Sequence, residues 1–384
     1  MGYGFIYAKV VQNTLFDKLP QGKCSIFGFL SLFSHKILTM LQPPRIIIDD
    51  KIPYIKGLAE SLGQCIYLPG HAITSAEVRD ADVLIVRTRT RCDESLLRHS
   101  RVRFIATATI GYDHLDTAFL EASGIGWTNC PGCNASSVAG YVESALILLA
   151  QAGKIDLSRS TIGVVGVGHV GSLVAARAAA LGLSVLRHDP PRARAEGGYF
   201  VSLATLQEQA DIITLHTPLT HTGEDATYHL INTPFFAGMK HPCVLINTSR
   251  GEVVDTSALL LAMDEERVRA AVIDTWENEP NVSPQLLERA FLATPHIAGY
   301  SADGKAHATQ MVLQAVAHFL GRDDLTFDVK PPQLHIPAEE IPSDPLERCL
   351  KLYDPRRDSD ALRAAPHRFE ALRSSYPIRR ETFL

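Results

Sequence analysis

Three side chains in this sequence have types and neighbours suited to chemistry. Arg250 lies in N-T-S-R-G-E-V-V-D, Glu279 in D-T-W-E-N-E-P and His296 in T-P-H-I-A-G-Y. A neutral histidine near its ordinary pKa suits proton removal from a hydroxyl. A carboxylate beside it orients the imidazole and favours its protonated form. An arginine offers a planar fork that holds a substrate carboxylate at two points. Each alone reads as ordinary: a turn histidine, a solvated arginine, a glutamate facing water. Together they suit oxidation of a hydroxyl to a carbonyl, which also requires a hydride acceptor.

The stretch TIGVVGVGHVGSLVAARAAALGLSVLRHDP (161–190) supplies a place for such an acceptor. A strand runs into Gly166, Gly168 and Gly171, and an Ala- and Leu-rich helix follows at once. The next strand ends on Asp189, 18 positions past Gly171. A bare G-x-G-x-x-G is a weak signal, but strand, helix and acidic residue around it make a dinucleotide-binding fingerprint. Gly166 permits the tight turn, and Gly168 lets backbone N–H groups approach a pyrophosphate. Gly171 lets helix and strand pack closely. Asp189 is placed for a ribose 2′-hydroxyl and repels a 2′-phosphate, which predicts NAD. Arg187, Arg192 and Arg194 lie close enough to weaken that preference.

Apolar runs alternate with helix-like stretches through most of the chain. RIIIDD (45–50), ADVLIVRT (81–88) and RFIATAT (103–109) read as strands, YIKGLAESLG (54–63) and ESLLRHS (94–100) as helices. A longer helix is expected after Ser137. ADIITLHTP (210–218), CVLINTSRG (243–251) and VRAAVIDTW (268–276) continue the strands, and ADGKAHATQMVLQAVAHFLG (302–321) reads as a helix. This order predicts βαβ units and parallel sheets. Short continuous apolar runs fit strands buried on both faces. In open α/β sheets, ligands bind beyond the carboxyl ends of the strands. His216, Thr217, Thr248, Ser249, Arg250 and Asp274 all fall at such ends.

A chain of 384 residues is expected to hold two or three domains. The formal net charge of −5 gives no electrostatic footprint for nucleic acid. Seven scattered cysteines do not make a disulfide framework and fit a reducing, cytoplasmic setting. Cys130 and Cys133 have no second pair at metal-site spacing, so no metal site is expected. The apolar run SIFGFLSLF (25–33) is too short to span a bilayer, so no membrane partner is expected. Residues 1–39 read as a non-native or disordered extension, with Met40 as the natural start. KPPQLHIPAEEIPSDP (330–345) reads as a proline-rich linker or arm, and the basic tail beyond it as partly helical.

The order GxGxxG, acidic residue, H-T-P-L, N-T-S-R-G-E-V-V-D, D-x-W-E-x-E-P and T-P-H-I-A-G resembles the D-isomer-specific 2-hydroxyacid dehydrogenases over about residues 44–321. The resemblance implies two Rossmann-like parallel-sheet domains around a cleft, with the chain passing out to the NAD domain and back. The substrate-binding domain is then 40–136, completed by 301–327, and the NAD-binding domain 137–300. Arg250 is implied to bind substrate, Glu279 to support the histidine and His296 to act as acid/base. ATATIGYDHLD (106–116), PGCNASSVAGYV (131–142), HDPPRA (188–193) and TPHIAGYSADGKA (294–306) are similar to one branch of that family. Its members oxidise a small phosphorylated hydroxy acid with NAD. YDPRRD (353–358) and FEALRSSYPIRRE (369–381) resemble that branch's small C-terminal α+β dimerisation domain, which implies a homodimer through 328–384.

The same resemblance implies substrate contacts at Thr88, Thr109 and Tyr300. Implied NAD contacts are Asp189, Thr217, Thr248, Ser249, Arg250, Asp274 and Gly299. The substrate phosphate needs cations: Arg87 and Arg89 are the local candidates, with Arg356 or Arg357 of the partner subunit as an alternative. Two features depart from the pattern. Gly140 stands where an acidic residue is frequent, and the tail stops soon after R-R-E. The alternatives are another member of the family, such as a phosphoglycerate dehydrogenase or hydroxypyruvate reductase, and an NAD-sensing corepressor built on the same fold.

Overall fold

The computed structural model describes residues 43–333 and 336–383. The expectations for residues 1–39 and for a start at Met40 lie outside the described residues.

Eleven strands form two parallel sheets. The first holds β1 (Arg45–Asp49), β2 (Gln64–Leu68), β3 (Val83–Val86), β4 (Phe104–Thr107) and β5 (Gly126–Thr128), in the order β2-β1-β3-β4-β5. The second holds β6 (Thr161–Val165), β7 (Ser184–His188), β8 (Ile212–Leu215), β9 (Cys243–Asn247), β10 (Val268–Ile273) and β11 (Leu292–Ala293), in the order β11-β10-β9-β8-β6-β7. Every residue of β3, β8 and β9 is buried. Helices cover both faces, so these strands read as unbroken runs of Ile, Val and Leu rather than as alternation.

The chain crosses between the sheets twice. The helix Ala135–Gln151 carries it to the second sheet, where Val142, Leu146 and Leu149 join a core with Val164, Ile212 and Ile246. The helix Ala302–Phe319 brings it back, and its Val312, Leu313 and Val316 pack with Ile46, Ile48 and Val83 of the first sheet. Ser301 starts this return helix by accepting the Gly304 N–H at 2.8 Å. Gly140 lies inside the outgoing helix. A Cβ there would meet Arg177 at 3.4 Å and Arg379 at 3.8 Å, so the missing side chain makes room for two guanidinium groups.

Residues 54–63 do not form the expected helix. Tyr54 and Gly57 take φ of 61° and 88°, outside the right-handed helical region, and only a 3₁₀ turn remains at Ala59–Ser61. The C-terminal segment also differs from expectation. It carries the helices Pro345–Leu352, Arg356–Ala364 and Phe369–Ser374 and no strand among the described residues, so it is helical rather than α+β. Prolines at 331, 332, 337, 342, 345, 355, 366 and 377 remove the N–H groups that a strand ladder needs. Nor does this segment build a core of its own. Leu362 and Phe369 are buried in the core on one face of the second sheet, and Tyr353 in the core on the other. Ser359 Oγ accepts the Ala293 N–H at 3.0 Å, which occupies a donor on the edge strand β11. Arg356 and Arg357 pair with Asp354 and Asp358 of the same chain.

Candidate active site

The second sheet places its strand ends in one line. His188 is in register with Val165, Val165 with Leu215, Leu215 with Asn247, Asn247 with Ile273 and Ile273 with Ala293. The loops leaving these six ends carry Asp189, the glycine loop, His216–Thr217, Thr248–Arg250, Asp274–Glu279 and Thr294–Tyr300. Residues spread over more than a hundred positions therefore share one rim, because parallel strands of matched length end together.

After β6, Gly166 turns the chain at φ 83°. A Cβ at Gly171 would lie 1.9 Å from the Gly166 carbonyl oxygen, so helix and turn approach closer than any other residue allows. Gly168 opens the helix His169–Ala180 without a side-chain cap, and a Cβ there would meet open space. The first N–H groups of that helix have no intrahelical partners, as an anion-binding end requires. Thr217 Oγ1 is buried without a hydrogen-bond partner. Such a group is costly unless a ligand completes it. These features fit a dinucleotide.

Asp189 Oδ2 accepts the Val167 N–H at 2.8 Å, and its Oδ1 accepts the Arg192 N–H at 3.1 Å. The carboxylate is thereby held beside the glycine loop. Arg192 pairs with Glu196, and Arg194 with Asp225. Both arginines that could welcome a 2′-phosphate are thus neutralised by nearby acids, while Arg187 lies within β7.

His216 and Thr248 meet at the ends of β8 and β9. His216 Nε2 pairs with Thr214 Oγ1 at 2.9 Å, and its Nδ1 lies 3.3 Å from Thr248 Oγ1. Burial pushes the His216 pKa down to about 3, so this imidazole is neutral at ordinary pH. Ser249 is buried, its N–H and hydroxyl both on Asn247 Oδ1 at 3.1 and 2.9 Å. Asn247 Nδ2 in turn donates to the Arg250 carbonyl at 2.9 Å. This ring of bonds holds the turn that presents Arg250. The Arg250 guanidinium reaches across to the first sheet's loop, where a Cβ on Gly111 would be 3.0 Å from its Nη2. It is ion-paired to no carboxylate among the described residues.

Glu279 and His296 form a close pair, Oε1 to Nδ1 at 2.6 Å. Burial pushes the Glu279 carboxyl up. The His296 hydrogen bond and charge, the Trp276 N–H and Arg373 outweigh it, and the group lies below the ordinary glutamate value. An ionised carboxylate only accepts, so Nδ1 carries the proton and Nε2 is left as the basic nitrogen. His296 itself adopts φ 55°, an uncommon conformation for a non-glycine residue. Asp274 explains how that turn is held. It is 1% exposed, and it accepts the Thr294 hydroxyl at 2.6 Å, the Ile297 N–H at 2.8 Å and the Ala298 N–H at 3.0 Å. Burial raises its pKa above the ordinary aspartate value. Asp274, expected as a cofactor contact, accepts hydrogen bonds from the histidine loop on both carboxylate oxygens. Gly299 lies against the Asn134 side chain at the outgoing crossover.

On the first sheet, Thr109 Oγ1 donates to the Gly111 carbonyl and lies 2.8 Å from Thr107 Oγ1. Thr88 is exposed at the end of β3. Arg87 donates to the Lys51 carbonyl at 2.6 Å. Arg89 pairs with Glu370 at 3.1 Å, its side chain 70% exposed. Tyr300 is half-buried and carries two cations that sequence reasoning missed. Lys305 Nζ stands 5.0 Å from the ring centroid and the Arg373 guanidinium carbon 5.6 Å. Lys305 was legible only as one more helix lysine, and Arg373 as part of a basic tail. Arg379 was missed too. It is 6% exposed and donates to the Ala298 carbonyl at 3.1 Å and the Ser137 carbonyl at 2.8 Å.

The family model for the NAD-binding domain of D-isomer-specific 2-hydroxyacid dehydrogenases matches residues 148–298. The chain is 51% identical over 341 residues to an erythronate-4-phosphate dehydrogenase of Bacteroides fragilis, covering 88% of this chain and 97% of that one. It is 41% identical over 350 residues to the protein of that name from Escherichia coli O81, covering 88% and 92%. Among solved structures, the D-lactate dehydrogenase of Aquifex aeolicus, complexed with NAD and lactic acid, aligns with a TM-score of 0.59 at 26% identity. That match covers 73% of this chain and 96% of that one. The apo D-mandelate dehydrogenase of Rhodotorula graminis shares the fold, with a TM-score of 0.61 at 23% identity over 76% and 99%. With its glycine loop, strand-end rim and likeness over 88% of its length, the chain belongs to the erythronate-4-phosphate dehydrogenases, within the D-isomer-specific 2-hydroxyacid dehydrogenase family.

Proposed function

We propose that this protein oxidises 4-phospho-D-erythronate to 2-oxo-3-hydroxy-4-phosphobutanoate with NAD, a step of pyridoxal 5′-phosphate (vitamin B6) biosynthesis. The observation that carries the reading is the 2.6 Å Glu279–His296 pair on the rim that also holds Arg250 and the glycine loop. Bound NAD supplies the acceptor for the hydride that leaves C2. His296 Nε2 takes the C2 hydroxyl proton, and the C2–O single bond becomes a carbonyl. Glu279 keeps Nδ1 protonated and stabilises the imidazolium that forms. Arg250 grips the C1 carboxylate and draws negative charge toward the C2 oxygen. The glycine loop and helix N-terminus hold the pyrophosphate, with Asp189, Thr217, Thr248 and Ser249 along the dinucleotide. Thr88, Thr109 and Tyr300 line the substrate side.

A homodimer through the C-terminal segment is part of this proposal, supported by the tail's resemblance to the dimerisation domain of the relatives. A cytoplasmic location is supported by six free cysteines among the described residues. No described helix is long and apolar enough to cross a membrane. The test is NAD reduction with 4-phospho-D-erythronate, 3-phospho-D-glycerate and D-glycerate, in wild type and His296→Ala. A 2-oxo acid is added in parallel so that a cofactor that stays bound does not hide turnover. Activity confined to the erythronate phosphate and lost in the variant supports the reading. Turnover of 3-phospho-D-glycerate instead keeps the chemistry and overturns the substrate.

A further inference from the structure

The loop after His296 brings together two cations that pair directly with no carboxylate among the described residues, the charge of one of them being felt at Glu279. Tyr300, four residues after the histidine, has Lys305 at 5.0 Å from its ring centroid and Arg373 at 5.6 Å. Lys305 lies in the first turn of the return helix, and Arg373 in the short helix Phe369–Ser374. Neither is ion-paired to a carboxylate among the described residues, and Arg373 Nε is buried without any partner. Burial and the charge of Arg87 hold the Lys305 pKa below the ordinary lysine value, so a third cation stands close by. Other arginines of the chain are handled differently. Arg89 holds Glu370, Arg194 holds Asp225, and Arg380 holds Asp303.

Partly buried cations with no directly paired carboxylate are costly, and the cost is offset when an anion enters. A phosphate dianion suits this set well. Arginine supplies a planar fork, lysine a compact point charge, and both give short charge-assisted bonds. The Tyr300 ring has both cations within cation–π reach. Glu370 matters as well. It pairs with Arg89, so that cation is balanced, while Arg373, one turn further along the same helix, stands at Tyr300.

We propose that Lys305 and Arg373 form the subsite that holds the phosphate of the substrate, and that Arg373 is supplied to the site by the chain's own C-terminal helix. This rests on the reading of the substrate as a phosphorylated hydroxy acid. It moves the phosphate contact from Arg89, at the end of β3, to the return helix and the tail. Selectivity for a phosphorylated over an unphosphorylated acid then depends on the C-terminal segment being docked.

The test uses the full-length protein and its variants Lys305→Met, Arg373→Met and Lys305→Arg. Rates are measured with 4-phospho-D-erythronate and with D-erythronate, and titration calorimetry follows binding of inorganic phosphate alone. Truncating one side of a desolvated charge pair weakens binding by about 30-fold or more. Each Met variant is therefore expected to lose that factor in kcat/KM on the phosphorylated substrate beyond any loss on D-erythronate. Phosphate affinity should fall in step, and Lys305→Arg should recover most of it. Equal losses on the two substrates, or phosphate binding untouched by both Met variants, overturn the subsite. If a Met variant does not fold, Lys305→Gln and Arg373→Gln replace it in the same comparison. Turnover of 3-phospho-D-glycerate by the wild type, with phosphate binding still lost in the variants, overturns the substrate reading and leaves the subsite standing.

Discussion

At the scale of single residues, His296 and His216 show how surroundings divide one side-chain type between two roles. His296 faces the cleft with a carboxylate on its far nitrogen. His216 is held between two threonine hydroxyls and kept neutral by burial. Replacing His296 by Ala should lower kcat by about 10²–10⁴-fold, the usual worth of a positioned base. Glu279→Gln should cost at least about tenfold but less than that, because the imidazole remains while its orienting charge is gone. Steady-state kinetics at neutral pH check the order of the two losses. For His216 the sign concerns stability. Its pKa is about 3 in the fold against 6.5 ordinarily. Between those values the unfolded chain binds a proton that the native state refuses, so stability falls as pH drops through that window. Urea midpoints at pH 7 and pH 4.5 should diverge more in wild type than in His216→Gln. Parallel declines would show that the acid sensitivity arises elsewhere.

At the scale of elements, the tail segment Ile378–Glu381 ties together the two places where the chain changes domain. Arg379 donates to Ser137 at the outgoing helix and to Ala298 beside the histidine loop. Its guanidinium also lies 3.6 Å from the Tyr353 ring centroid. Arg380 holds Asp303, and Glu381 Oε1 accepts the Ser301 hydroxyl at 2.6 Å, both at the start of the return helix. A buried guanidinium that satisfies several carbonyls leaves them orphaned when it is removed. Arg379→Ala should therefore destabilise the protein by about 2–3 kcal/mol, in the range for hydrogen bonds to charged groups. It should also lower kcat through the loosened 294–298 loop. Chemical denaturation and kinetics on the same preparation check both effects. A variant with wild-type stability would mean that the tail is not docked in solution.

At the scale of the whole molecule, two parallel sheets are joined by the crossing helices, and the tail packs on the second sheet and bonds to both crossovers. The proposed dinucleotide side follows the register of six parallel strands, and the proposed substrate side the loops after β3 and β4. A ligand that binds only the folded state stabilises it by about 2.7 kcal/mol when present at 100 times its Kd. Saturating NAD should accordingly raise Tm by several degrees, and NADP at equal concentration by less. The reason is that Asp189 stands beside the glycine loop while Arg192 and Arg194 are already paired. Asp189→Ala should narrow the difference between the two cofactors. Equal shifts in wild type would remove Asp189 as the discriminating group.

Much of this was legible in the sequence because it depends on local physics. Unbroken Ile and Val runs mark strands buried on two faces. G-V-G-H-V-G between a strand and an Ala-rich helix marks a phosphate-binding turn, since only glycine tolerates the φ of Gly166 and the approach at Gly171. Arg250, Glu279 and His296 could be singled out because each follows a strand, and parallel strands bring their carboxyl ends together. Other features were decided by tertiary structure alone. No pattern near Asp274 says that its carboxylate holds the loop around His296. None near Arg89 says that Glu370, 281 positions away, pairs with it. Lys305, Arg373 and Arg379 look like ordinary basic residues until packing brings them to Tyr300 and the crossover. Periodicity and turn chemistry act over a few neighbours along the chain. The partner of a charge is settled by which distant segments the core brings within hydrogen-bonding reach.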